Sequence, residues 1–340
     1  REQFDVVLLD IMMPGIDGFE VLRRIRVEHD ATELPVIMAT AKDDSSDVVA
    51  ALKLGANDYV TKPFDFPVVL ARVTTQLSLK RSRDQLASAH RRMKKDLDAA
   101  ARIQRHFLPP ERPELAGVEV AWRYLPCDEL AGDTLNIFSL DESRIGLMMV
   151  DVVGHGVPAA LLSVTLSRVM SSEPGSSSAL WVTDETNSGL RIASPTEVAR
   201  ELVKRFPYDQ ETGQYFTMVY AVLDLADMNL VYVAAGHPGP LILRRGQPTR
   251  VLGTNAPPVG LLPPMIPVQI NEGSVSLQQG DRVVIVTDGI PEACNEDEEE
   301  LGTTRMTSLF ERGLDRDLNE SLDQVLAEVA EWCGPVSYTH

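Results

Sequence analysis

Residues 72–107 contain neither proline nor glycine. A stretch of that length without a breaker is predicted to be one long helical segment, and it divides the chain into three. Within it Leu79, Leu86, Met93, Ala100 and Phe107 recur every seven residues, the seam of a coiled coil or helix pair. The companion apolar positions Ala89, Leu97 and Ile103 are irregular, so the coil is expected to be short or interrupted, and to make the protein a homodimer. From Arg72 to Arg105 ten Lys/Arg stand against three Asp/Glu. In a chain of formal charge −18, that basic flank reads either as a solvated helix face or as a surface docking on acidic domains. Pro109-Pro110 ends the segment.

Before it, residues 1–73 alternate apolar runs with amphipathic helices. Strands are predicted at Asp5–Asp10, Pro35–Thr40 and Asp58–Lys62, and helices over Phe19–Ile25, Val48–Leu54 and Phe66–Val73, with Gly55 as a left-handed cap. Such alternation implies a parallel, doubly wound sheet. Ligands of these sheets bind beyond the carboxyl ends of the strands, where Asp10, Thr40 and Lys62 fall.

After it, residues 109–334 are rich in β-branched runs. Strands are expected at Arg144–Val150 and Arg282–Val286, with a hairpin formed by Thr217–Leu223 and Leu230–Ala234. Helices fit Pro158–Met170, Pro195–Phe206 and Leu318–Trp332, while the Ser/Gly/Thr-rich residues 171–193 read as a long loop. Two helical layers around β-sheets is the simplest architecture. The length of 340 residues allows two independent cores. The acidic balance argues against a nucleic-acid binder. No apolar run reaches the roughly 20 residues that span a bilayer, so a cytoplasmic protein is expected. Cys127, Cys294 and Cys333 suggest neither disulfides nor a zinc site, and none heads a Cys-x5-Arg phosphate loop.

Three aspartates share one context. Asp133 follows Ala131-Gly132, Asp151 ends a strand and opens Asp-Val-Val-Gly-His-Gly156, and Asp288 ends a strand before Gly289. Carboxylates at strand ends beside glycine can approach a hard cation, and Mg²⁺ or Mn²⁺ prefers such oxygen-rich sites. Two such ions would acidify a bridging water and clamp phosphate oxygens for in-line attack. An isolated Asp-Gly serves equally as a turn, and three in the same context weaken that plainer reading. His155, between two glycines, and His237, in Ala-Gly-His-Pro238, read either as turn histidines or as substrate-proximal proton donors.

With these residues in place, two resemblances emerge. Leu8-Leu-Asp10-Ile-Met-Met-Pro14-Gly-Ile-Asp-Gly18, Ala39-Thr40-Ala41, Gly55-Ala-Asn-Asp58-Tyr59 and Lys62-Pro63 resemble the response-regulator receiver family. The resemblance implies a flavodoxin-like fold with Asp10 as phosphate acceptor, Thr40 as switch hydroxyl, Tyr59 as switch aromatic and Lys62 as phosphate-binding lysine. It also implies Mg²⁺ for phosphorylation and a sensor histidine kinase as partner. The family's first strand, first helix and acidic pair would precede residue 1, so this half is expected to lack its start.

Ala101-Arg-Ile-Gln104 through Leu108-Pro109, Ala131-Gly-Asp133, Asp151–Gly156 with Ala159-Ala-Leu161, Phe216-Thr-Met, Ala235-Gly-His-Pro238 and Thr287-Asp-Gly-Ile-Pro-Glu292 resemble the PPM-type phosphatases of the SpoIIE/RsbU kind. That resemblance implies an α-β-β-α layered domain. It also implies Asp133, Asp151, Asp288 and the backbone carbonyl of Val152 as ligands of a two-metal Mn²⁺ or Mg²⁺ site. Water would be the nucleophile, and the substrate a phosphoserine or phosphothreonine on an anti-sigma-factor antagonist. Asn136 and Val153 depart from the family pattern, the closing Asp-Asp-x-Thr is missing, and residues 335–340 read as a non-native tail. The expected layout is therefore a receiver at 1–73, a helical linker at 74–108, a phosphatase domain at 109–334 and the tail at 335–340. The alternative is a catalytically inert, receiver-linked binding regulator. A DNA-binding regulator is excluded, because no basic helix-turn-helix segment follows the receiver.

Overall fold

The computed structural model describes residues 4–41, 45–111, 113, 115, 117–126, 129–175, 177–183 and 189–334; Cys127 and the 335–340 tail lie outside them. The chain divides into two compact units, Arg1–Asp96 and Leu97–His340.

The first unit holds β1 (Val7–Asp10), α1 (Gly18–Glu28), β2 (Val36–Ala41), α2 (Ser45–Lys53) and β3 (Asp58–Lys62), with the strands parallel in the order β1-β2-β3. β2 is central and buried from Val36 to Thr40, as a strand covered on both faces must be. Asp17 caps α1, its carboxylate accepting the Glu20 N–H at 2.7 Å.

The segments expected at 66–73 and 72–107 are one helix, α3 (Phe66–Arg105). No breaker separates them, and Pro67 sits in the first turn, where its missing N–H costs nothing. Leu79, Leu86 and Met93 are 61%, 72% and 57% exposed.

In the second unit come β4 (Thr134–Ser139), β5 (Arg144–Val152), α4 (Val157–Val169), β6 (Trp181–Thr183), β7 (Leu190–Ile192), α5 (Pro195–Arg205), β8 (Phe216–Asp224) and β9 (Asn229–Ala235). They are followed by β10 (Leu241–Leu243), β11 (Arg250–Val251), β12 (Gly273–Ser276), β13 (Arg282–Val284), α6 (Gly302–Arg312) and α7 (Leu318–Cys333). Five strands form an antiparallel sheet in the order β12-β9-β8-β5-β4, and three form a second sheet, β11-β10-β13. α4 and α5 pack on the first sheet around Val150, Leu166, Leu202, Phe216 and Tyr220. α6 and α7 cover the second through Leu243, Phe310, Val325 and Val329.

Several details differ from expectation, beginning with the strands β4, β10, β11 and β12, which were not expected. The 171–193 loop contains the β6–β7 hairpin, because Trp181 and Ile192 pack on the main core amid the polar residues. The helix α6 was not anticipated; its buried stripe, Met306, Leu309 and Phe310, is short and flanked by Thr and Ser. Finally, β13 stops at Val284, where the three-residue partner β10 runs out.

Candidate active site

Asp133 stands in the turn before β4, Asp151 is the penultimate residue of β5, and Asp288 follows β13 in a turn. Glycine permits the approach of the first two: a Cβ on Gly132 would lie 2.6 Å from the Val152 carbonyl oxygen. Beyond Asp151, Gly154 and Gly156 adopt φ of 86° and 79°, left-handed values that other residues resist. That turn leads at once into α4.

The three carboxylates act on one another. Asp133 is pushed up to about 8, first by burial, then by the charge of Asp151 and a hydrogen bond with it, and by Asp288; a hydrogen bond from Thr287 opposes the shift. Burial and the charge of Asp288 also raise Asp151, against a hydrogen bond with Asp133 and the influence of His237. At neutral pH, Asp133 therefore keeps a proton that it shares with Asp151. Burial followed by the charges of Asp288, Glu300 and Asp151 likewise raises Glu292. Tyr124, whose hydroxyl donates to the Asp133 carbonyl at 3.3 Å, is pushed up to about 12 by burial and by Asp133.

His237 is fully buried. Its Nδ1 lies 2.9 Å from the Pro238 carbonyl and so carries a proton, while Nε2 has no hydrogen-bond partner among the described residues. Burial lowers its pKa and keeps the ring neutral. His155 stands exposed on the Gly-His-Gly turn. Tyr124, Asp133, Asp151, His155, Asp288 and Glu292 line one cavity of about 2380 Å³.

Among the described residues, no three His, Cys, Asp or Glu groups are arranged to hold a metal ion, so the aspartates converge without closing into a cage. Their chemistry nonetheless fits one. The donors are hard oxygens that repel one another, Asp133 and Asp151 partly buried and Asp288 exposed, and Asp133 holds a proton in their presence; a divalent cation would take that proton's place.

In the first unit, Asp10 and Lys62 meet as an ion pair across the strand ends, and the Met12 N–H donates to Asp10 Oδ1 at 3.1 Å. The hydrogen bond from Lys62 holds the Asp10 carboxyl below its usual range. Thr40 is buried on β2, its hydroxyl donating to the Ala41 carbonyl at 3.3 Å. Tyr59, on β3, has the Arg72 guanidinium 5.2 Å from its ring centre. A Cβ on Gly18 would stand 2.3 Å from the Asp10 carbonyl oxygen, so only glycine lets α1 start there.

The family model of stage II sporulation protein E (SpoIIE) matches residues 141–337. The chain belongs to the SpoIIE family. A response regulator receiver domain, matched at residues 1–74, precedes the SpoIIE-family domain. The chain is 28% identical over 201 residues to phosphoserine phosphatase RsbP of Bacillus subtilis (strain 168), which covers 58% of this chain and 45% of RsbP. It thus spans less than half the length of that relative. The fold of the SpoIIE-family domain is that of the PP2C domain of SiaA from Pseudomonas aeruginosa, with a TM-score of 0.59 at 20% identity over 74% of this chain and 94% of that one. Asp151 and Asp288 lie within the matched SpoIIE stretch, and Asp133 lies just before it.

Sequence reasoning assigned no role to Tyr124, Thr287 or Glu292. Thr287 and Glu292 flank Asp288 within the recognised Thr-Asp-Gly-Ile-Pro-Glu run, which was their one available signal. Tyr124 had none.

Proposed function

We propose that the chain is a response regulator whose output is a metal-dependent protein serine/threonine phosphatase acting on a phosphoserine or phosphothreonine of an anti-sigma-factor antagonist. The observation that carries this reading is the proton-sharing pair of Asp133 and Asp151, with the charge of Asp288 beside it, all three lining one cavity. RsbP, named a phosphoserine phosphatase, supports the reaction class. In this reading Asp133, Asp151, Asp288 and the Val152 carbonyl hold Mn²⁺ or Mg²⁺. The bound ions would supply an acidified water and charge neutralisation for the phosphate. The protein's own residues orient and exclude. Thr287 fixes Asp133, Gly132 brings its loop against Val152, and His237 stays neutral with Nε2 free to accept or relay a proton. His155, exposed at the cavity mouth, is placed to meet the substrate phosphate. The deciding experiment is hydrolysis of a phosphoserine peptide by the whole chain with Mn²⁺ and with chelator. Turnover that ignores the chelator would overturn the metal reading.

A second reading, an inert binding regulator, rests on Asn136, an uncharged amide whose side-chain oxygen accepts the N–H of Ile137 at 2.8 Å. Mn²⁺ calorimetry separates the two, since an inert scaffold takes up little or no metal.

On the receiver side, we assign Asp10 as the acceptor from a sensor histidine kinase and Lys62 as the counter-charge, with Mg²⁺ required and Thr40 and Tyr59 as the switch pair. Asp10→Asn is expected to lose acyl-phosphate labelling entirely in a phosphate-affinity gel, while Mn²⁺-dependent hydrolysis persists. The 74–108 segment is the proposed linker and dimer seam. Leu86→Asp places a charge on that seam and should halve the mass found by light scattering; an unchanged mass would remove the seam.

A further inference from the structure

Gln104 lies in the last turn of α3 and is 7% exposed. A buried carboxamide must find partners, and this one finds three. Its Nε2 donates to the Ala131 carbonyl at 2.6 Å and to the Ser163 hydroxyl at 2.8 Å, and its Oε1 accepts the Ala131 N–H at 3.3 Å. Ala131 is two residues before Asp133. Ser163 is in α4, the helix entered directly from the Asp151–Gly156 turn.

The contact continues inward. The Ser167 hydroxyl donates to the Ser163 carbonyl at 3.0 Å and lies 3.1 Å from the hydroxyl of Thr134, the residue after Asp133. Thr134, Ser163 and Ser167 are all buried, and Ala101, Leu130 and Ala160 pack together as an apolar cluster beside this line. The Asp133 loop is thus gripped on both sides: at Ala131 by Gln104, and at Thr134 by Ser167.

We propose that Gln104 is a positioning residue for the aspartate cluster: by holding both backbone groups of Ala131 and the Ser163 hydroxyl, it sets the Asp133 loop against the element that follows Asp151. This rests on the metal-binding reading given above. The residue touches neither substrate nor metal. It acts through the loop, as the outer partners of metal ligands do. Because Gln104 belongs to the helix that begins at Phe66, the geometry of the aspartates depends on the last turn of that helix.

The test is Gln104→Glu, which keeps the side chain's shape but puts an oxygen where the amide donated to the Ala131 carbonyl. Two measurements on the whole chain are needed: Mn²⁺ affinity by calorimetry, and backbone amide exchange of residues 129–136 by mass spectrometry in chelator. The variant should bind Mn²⁺ about tenfold more weakly and exchange faster across 129–136, and its loss of hydrolysis should recover as Mn²⁺ is raised. Unchanged exchange overturns the clamp, and faster exchange with unchanged affinity overturns positioning. Should the chain without substitution bind no Mn²⁺, the metal reading itself falls and this proposal with it. A wild-type affinity shared by the variant sinks the proposal alone. If Gln104→Glu does not fold, Ser163→Ala, which severs only the α4 arm, carries the same two measurements with a smaller shift of about threefold in affinity.

Discussion

Asp151→Asn is expected to lower Mn²⁺-dependent phosphopeptide hydrolysis by about a thousandfold or more, since each factor of ten is about 1.4 kcal/mol and a lost ligand forfeits several. The same variant should nonetheless melt no lower than the unsubstituted chain in chelator. The reason lies in the proton count. Asp133, normally near 3.8, is pushed up to about 8 in the fold, so the folded state binds a proton that the unfolded state releases. Between about pH 4 and 8, metal-free stability therefore falls as pH rises. Asn at 151 removes one of the charges responsible, so its melting temperature should be less dependent on pH across that window. Kinetics with Mn²⁺ and melts in chelator at pH 5, 6.5 and 8 check both halves. Retained turnover would refute the assignment of Asp151, and a steeper pH slope in the variant would refute the account of the cluster's repulsion.

Phe216→Ala is expected to cost about 3–5 kcal/mol, a large part of the roughly 5–15 kcal/mol that holds a domain folded. Phe216 is 1% exposed, meets Phe206 edge-to-face at 5.7 Å, and starts β8 opposite Val152. Its backbone N–H and carbonyl both pair with Val259, at 3.0 and 2.9 Å. The lost ring leaves a cavity under the strand end that carries Asp151, so hydrolysis should fall along with stability. Trp122, Trp181 and Trp332, the three tryptophans, all belong to the second unit, so urea unfolding followed by their fluorescence reports that unit alone. A midpoint within about 1 kcal/mol of the unsubstituted chain would place the ring outside the core, because core truncations of this size cost more.

Much of this could be read from residue order, and the misses have physical causes. β3 was legible to the residue, and the β8–β9 hairpin nearly so, because apolar runs there end at turn residues. Of the three aspartates, Asp151 was legible as a strand-end carboxylate near glycine, whereas Asp133 stands before β4 and Asp288 lies in a turn beyond the end of β13 rather than at the strand's end. Their mutual repulsion was not legible, because it depends on burial and on approaches between β4, β5 and the turn after β13. Gln104 was legible as part of a motif but not as a clamp, since its partners lie 27 and 59 residues away. β10 and β12, of three and four residues, carry too few residues for a period to emerge. They exist because neighbouring strands pair with them.

The one-sided pairing of β13 bears on how any self-association should be weighed. Among the described residues this strand has a ladder neighbour only in β10, while Val283 and Ile285 pack partly buried against one core and Val284 and Val286 against another. An apolar strand edge is a template for another chain. It sets no ceiling on stoichiometry and rewards time and concentration. A helix seam, by contrast, saturates at a fixed number of copies. Species that grow on standing would therefore belong to β13, and a mass that settles at twice the monomer would belong to α3.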